Sequence, residues 1–108
     1  MSYTFIANLI EQIPEIPVNS IVSQTIYKDP HHQTILFAFA AGQELAEHTT
    51  PQAAMLHFVQ GEAEVTLDSD ALTVQSGSWI YMPPHLPHSI SAKTTLLMLL
   101  TMVKTAEE

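Results

Sequence analysis

The sequence predicts an all-β fold, a sandwich or barrel of about nine short antiparallel strands. Three observations carry this. After residue 20 the apolar residues alternate or run in short blocks, and no helical period intervenes. Turn signals built on Gly, Pro, Asp and Ser recur about every six to twelve residues along the same stretch. The composition suits one packed core, with 46% of the 108 residues hydrophobic and 13% charged.

Before residue 20 the pattern differs. Phe5, Ile6, Leu9, Ile10 and Ile13 are spaced as one face of a short helix, with Thr4 as N-cap and Pro14 and Pro17 ending it. This N-terminal helix, placed over 4–12, reads as a cover for a sheet. Ser20–Lys28 is then rich in β-formers, and Asp29-Pro30-His31-His32 is a turn. Gln33–Ala41 is the second strand, closed by Gly42. Glu44–Thr49 is short, and Thr50-Pro51-Gln52 turns. Ala53–Val59 is almost continuously apolar, and Gln60-Gly61-Glu62 turns it into the alternating Ala63–Leu67. Asp68-Ser69-Asp70 leads to Ala71–Val74, followed by Trp79–Met82, Ser89–Ala92 and Thr95–Val103. The last strand is apolar on both faces, so both must be covered. The barrel interior supplies one cover and a second subunit is expected to supply the other. The whole chain, 1–108, reads as one domain.

Charge removes several classes of function. Eleven acidic residues face three lysines and no arginine, for a net charge of -8. That leaves no basic footprint for nucleic acid or an anionic membrane, and no arginine fork for phosphate or carboxylate. There is no cysteine, so disulfides and thiolate chemistry are excluded. The start has no basic, long-apolar signal, and no run reaches about 18 apolar residues. The expected location is the cytoplasm.

Two stretches stand out. Gly42–Gly61 reads GQELAEHTTPQAAMLHFVQG and Gly77–His88 reads GSWIYMPPHLPH. Each runs between a glycine turn and a strand and carries a histidine near a proline. Their spacing resembles the two motifs of the cupin superfamily, the small RmlC-like jelly-roll barrels (double-stranded β-helices), over about residues 33–103. Gly42, His48 and Gly61 match landmarks of the first motif, and Gly77, Pro83 and His88 match landmarks of the second. Thr50 stands where the first motif has its second histidine, and Ala54 where it has its glutamate. His85 and Ala92 replace the glycine and the asparagine of the second motif.

In metal-binding cupins the three histidines and the glutamate converge on a divalent iron, manganese, zinc, nickel or copper ion. The resemblance therefore implies a partly degenerate site, with His48 and His88 as the retained ligands. It also implies a small, apolar or neutral ligand in the barrel interior, in a pocket lined by His48, Thr50, Leu56 and His88. Whether chemistry follows is left open. A metal-dependent dioxygenase or isomerase stands beside a non-catalytic ligand-sensing or structural barrel. Small cupins commonly pair through their sheets, and the apolar last strand and sparse charge fit a homodimer. By strand parity, position 54 and Leu56 and Phe58 share a face, while His57 points the other way.

Overall fold

A computed structural model describes residues 2–104. Nine strands follow in chain order: β1 (Ile21–Lys28), β2 (His32–Phe39), β3 (Glu44–His48), β4 (Ala53–Gln60), β5 (Ala63–Leu67), β6 (Asp70–Val74), β7 (Trp79–Met82), β8 (His88–Ala92) and β9 (Leu96–Val103). All lie within a residue or two of the strands read from the sequence. They form a five-stranded sheet ordered β1-β2-β9-β4-β7 and a four-stranded sheet ordered β3-β8-β5-β6. Every pairing is antiparallel. The sheets pack face to face over a core that includes Phe39, Leu56, Phe58, Val65, Met82, Leu96 and Met98. No helix among the described residues is long and apolar enough to cross a membrane.

The helix expected over 4–12 is not formed. In its place is a single 3-10 turn, Leu9–Gln12, and its cap is Asn8 rather than Thr4. The Asn8 side chain accepts a hydrogen bond from the Ile10 amide at 3.0 Å. A helix this short cannot offset the cost of nucleation, and Pro14 and Pro17 forbid its extension. Part of its intended apolar face also finds no partner: Phe5 and Ile10 stay 76% and 46% exposed. The segment acts as a cover all the same. Ile13 and Ile16 pack on Leu36, Ala38 and Leu97, on the outer side of the five-stranded sheet.

The last strand shows why it does not alternate. Leu96, Met98, Leu100 and Met102 face the barrel core. Leu97 and Leu99 face outward, onto the patch roofed by Ile13 and Ile16. The second cover is therefore provided in part by the chain's own N-terminal segment. Beyond it the outer face stays open, in a groove lined by Met55, His57, Gly77, Trp79, Leu99 and Thr101.

Gly61 closes the β4–β5 turn at φ +97°, and a Cβ placed there would overlap the carbonyl oxygen of Thr95. No other residue fits where β5 and β9 begin their courses through opposite sheets.

Candidate functional site

The two histidine stretches meet at one end of the barrel. β3 ends at His48, residues 49–52 cross to the other sheet, and β4 begins at Ala53. β7 ends at Met82, residues 83–87 cross back, and β8 begins at His88. A backbone hydrogen bond from His85 to the Thr50 carbonyl, 2.8 Å, ties the two crossings together. His85 holds φ +67°, the left-handed conformation that glycine adopts most readily, at the position where the motif has its glycine.

His48 and His88 are register partners across β3 and β8. A bulge makes this so. Leu45 pairs with Ile90 and His48 with His88, so three steps along β3 match two along β8. The extra residue keeps Leu45 and His48 on the same, inward face, where strict alternation would separate them. The two rings lie 4.2 Å apart between centroids, with their planes at 58°.

Each ring is oriented by its own chain. His48 Nδ1 lies 2.9 Å from the Ala46 carbonyl, and His88 Nδ1 lies 2.9 Å from the Leu86 carbonyl. A carbonyl only accepts, so each Nδ1 carries the proton. In the neutral rings each Nε2 then keeps a free lone pair, the state in which imidazole binds a metal or accepts a proton. The pair is asymmetric: His88 is buried, 5% exposed, and His48 is exposed at the rim. Burial lowers the pKa of His88 below its ordinary value. The bond to the Leu86 carbonyl pulls it partly back, and the charge of His48 lowers it again.

The remaining candidate residues lie at different depths and places. Thr50 lies on the first crossing, half-buried, and its hydroxyl donates to the Gln52 side-chain oxygen. Ala54 is fully buried at the start of β4, and Leu56, 1% exposed, packs in the core two residues further in. His57 is exposed on the outer face of the sheet, across from Trp79. His31 and His32 are exposed at the β1–β2 turn, where their amides donate to Asp29 at 2.7 Å. The structure thus brings His48 and His88 together, with Thr50 on the crossing that follows His48 and Ala54 and Leu56 on the strand after that crossing.

A divalent centre with three or more protein ligands does not fit these side chains. Among the described residues no group of three or more His, Cys, Asp and Glu converges. The hydroxyl of Thr50 is engaged with Gln52, and Ala54 offers only a methyl. Two imidazoles alone leave most of a tetrahedral or octahedral shell to water. No catalytic step is therefore assigned to a metal here.

Two methionines flank the strand that carries Ala54. Ala54 pairs with Met82 on one side and Met102 on the other. These methionines share its inward face, but only the cross-strand register shows it.

The sequence matches the family model described as the cupin domain over residues 35–103. None of the functionally curated proteins compared matches it. Among solved structures, a conserved protein of unknown function from Streptococcus pyogenes is 30% identical, with 97% of this chain and 96% of that chain covered and a TM-score of 0.79. A cupin superfamily protein from Desulfitobacterium hafniense is 25% identical, with 84% of each chain covered and a TM-score of 0.80. A cupin 2 conserved barrel domain protein from Leptotrichia buccalis is 28% identical over 90% of this chain and 47% of that chain, with a TM-score of 0.83.

Proposed function

The chain belongs to the cupin domain family, and on that premise we propose that it is a small-molecule-binding barrel whose site is the end that carries His48 and His88. The observation that supports this reading is the pair of adjacent imidazoles at a barrel end, each held through Nδ1 by a backbone carbonyl so that its Nε2 lone pair is left free. Thr50 forms the rim, His48 and His88 the polar centre, and Leu56 the floor. The ligand is small and neutral or weakly polar, because the chain has no arginine and only three lysines with which to neutralise an anion. A divalent ion (iron, manganese, zinc, nickel or copper) would be held by His48 and His88 and would supply Lewis acidity to an oxygen or nitrogen of that ligand. The proteins' own contribution is orientation: two acceptor nitrogens over an apolar floor.

The test is imidazole-resolved NMR on untagged protein, with metal content measured by elemental mass spectrometry. Each divalent ion, and a set of small phenols, alcohols and amides, is added in turn. We expect the ring signals of His48 and His88 and the methyl signals of Thr50 and Leu56 to move together. The H48A/H88A double variant should lose the response. A wild type whose ring and methyl signals stay fixed throughout would sink the reading.

The same chain is proposed to act as a homodimer. Trp79 and Tyr81 stay 60% and 52% exposed on the outer face of the five-stranded sheet, beside the open groove. Exposed aromatic residues around an apolar groove are the usual mark of a protein interface.

A further inference from the structure

The outer face of the five-stranded sheet is covered unevenly. One cross-strand row runs Leu36–Leu99–His57–Trp79 from β2 to β7. Ile13 and Ile16 roof its Leu36 end, and Leu36 is buried there. The roof stops at Leu99. From that residue the row opens into the groove lined by Met55, His57, Gly77, Trp79, Leu99 and Thr101, with Trp79 exposed. The segment that supplies the roof has an unpartnered part of its own. Residues 2–8 form no helix or strand, and Tyr3 and Phe5 stand 90% and 76% exposed. An open apolar groove and an uncovered aromatic arm thus adjoin the same roof. They also match in charge. The chain carries -8 overall, yet residues 2–10 hold no charged side chain, and the groove holds no carboxylate and no lysine. Contact between arm and groove therefore brings no like charges together.

We propose that two copies of this chain exchange their N-terminal arms, Tyr3 and Phe5 of each copy seating in the groove around Trp79 of the other. The inference deepens the homodimer reading given above and rests on it. In the single chain the arm stands clear of its own groove, and both stay open. Exchange about a two-fold axis is reciprocal, so each arm finds one groove and the assembly closes at two copies. The area argues the same way. A stable interface buries about 1,200–2,000 Å² in total. Trp79 and Tyr81 are already partly covered within one chain and fall short of that alone. Tyr3 and Phe5 of two arms add on the order of 600–1,000 Å². Aromatic anchors of this kind carry most of the energy of an interface.

Trp79 is the chain's one tryptophan, so its emission reports on the groove alone. The test follows acrylamide quenching of Trp79 and mass by light scattering over a dilution series of the untagged full chain and of Y3S/F5S. Both replaced side chains are exposed in the single chain, so the variant keeps the fold, which thermal melts verify. We expect wild type to form a dimer with Trp79 shielded, and mass and shielding to fall together on dilution. The Y3S/F5S dimer should dissociate at a concentration at least about tenfold higher. Its Trp79 should be quenched more freely than that of wild type at the same concentration. If Y3S/F5S dimerises as tightly as wild type, or leaves Trp79 equally shielded, arm exchange is overturned and the homodimer reading stands. Shielding that persists after dilution to the monomer would mean that each arm covers its own groove, and would also overturn exchange. A wild type of monomer mass throughout, with Trp79 freely quenched, overturns both.

Discussion

His88 carries a proton balance that differs between the folded and unfolded chain. Its pKa is lowered in the fold, chiefly by burial, so the folded protein resists protonation that the unfolded chain accepts near 6.5. Its contribution to stability is therefore complete above that value and is lost as pH falls below it, toward the folded pKa. Denaturant titrations of the metal-free protein should show stability falling on the acid side of 6.5. The His88→Gln variant, which cannot titrate, should show a flatter profile there.

Gly61 sets a second residue-scale expectation. Gly42 and Gly77 also have positive φ, but a Cβ at either meets nothing within 4 Å. Alanine there should cost about 1–2 kcal/mol, the conformational penalty alone. Gly61→Ala must also displace the Thr95 backbone, and its cost should be larger, roughly 3 kcal/mol. Urea midpoints of the three variants give this ranking directly, and equal midpoints would contradict it.

At the scale of elements, much was legible before any coordinates. Gly42, Gly61, Asp68 and Gly77 punctuate the chain strongly enough to fix nearly every strand, because turn chemistry is local. The meeting of His48 with His88 was legible only through motif spacing, which stands in for a contact between residues far apart in sequence. The β3 bulge was not legible, since nothing in Leu45-Ala46-Glu47-His48 marks the extra residue. Nor was the row Met102–Ala54–Met82, which exists only once β4 has paired with β7 and β9. The N-terminal segment misled for the opposite reason. Its helical spacing is genuine, but Phe5 has nothing to pack against, while Ile13 and Ile16 do.

Two element-scale predictions follow from these contacts. Ile13→Ala and Ile16→Ala should each cost about 1–2 kcal/mol, as expected for half-buried aliphatic side chains, and the double variant should expose the Leu36–Ala38–Leu97 patch to a hydrophobic dye. Ala54→Glu places a carboxylate at a fully buried position, which should cost roughly 3 kcal/mol or more in the metal-free protein. The same carboxylate would add a hard ligand beside the histidine pair. Zinc should then raise the melting temperature of Ala54→Glu more than that of wild type, because binding to the folded state is linked to stability.

The whole molecule has an outer face of two characters. One half is roofed by Ile13 and Ile16, and the other exposes Trp79 and Tyr81 around an uncovered groove. Trp79→Glu with Tyr81→Glu should convert a dimer to a monomer, read as a halved mass in light scattering. The melting temperature of the separated monomer should change little, because both side chains already face outward within a single chain. A wild type of monomer mass at high concentration would contradict the pairing.

The place of β9 matters for how this protein is made. The final strand is inserted between β2 and β4, the centre of its sheet rather than an edge. Until Leu96–Val103 has been synthesised and has left the ribosome, β2 and β4 each present an unpaired, apolar edge, and His48 has no completed barrel end to face. Folding of this barrel therefore waits for Leu96–Val103, and nascent chains halted before Leu96 should remain protease-sensitive and drawn to chaperones.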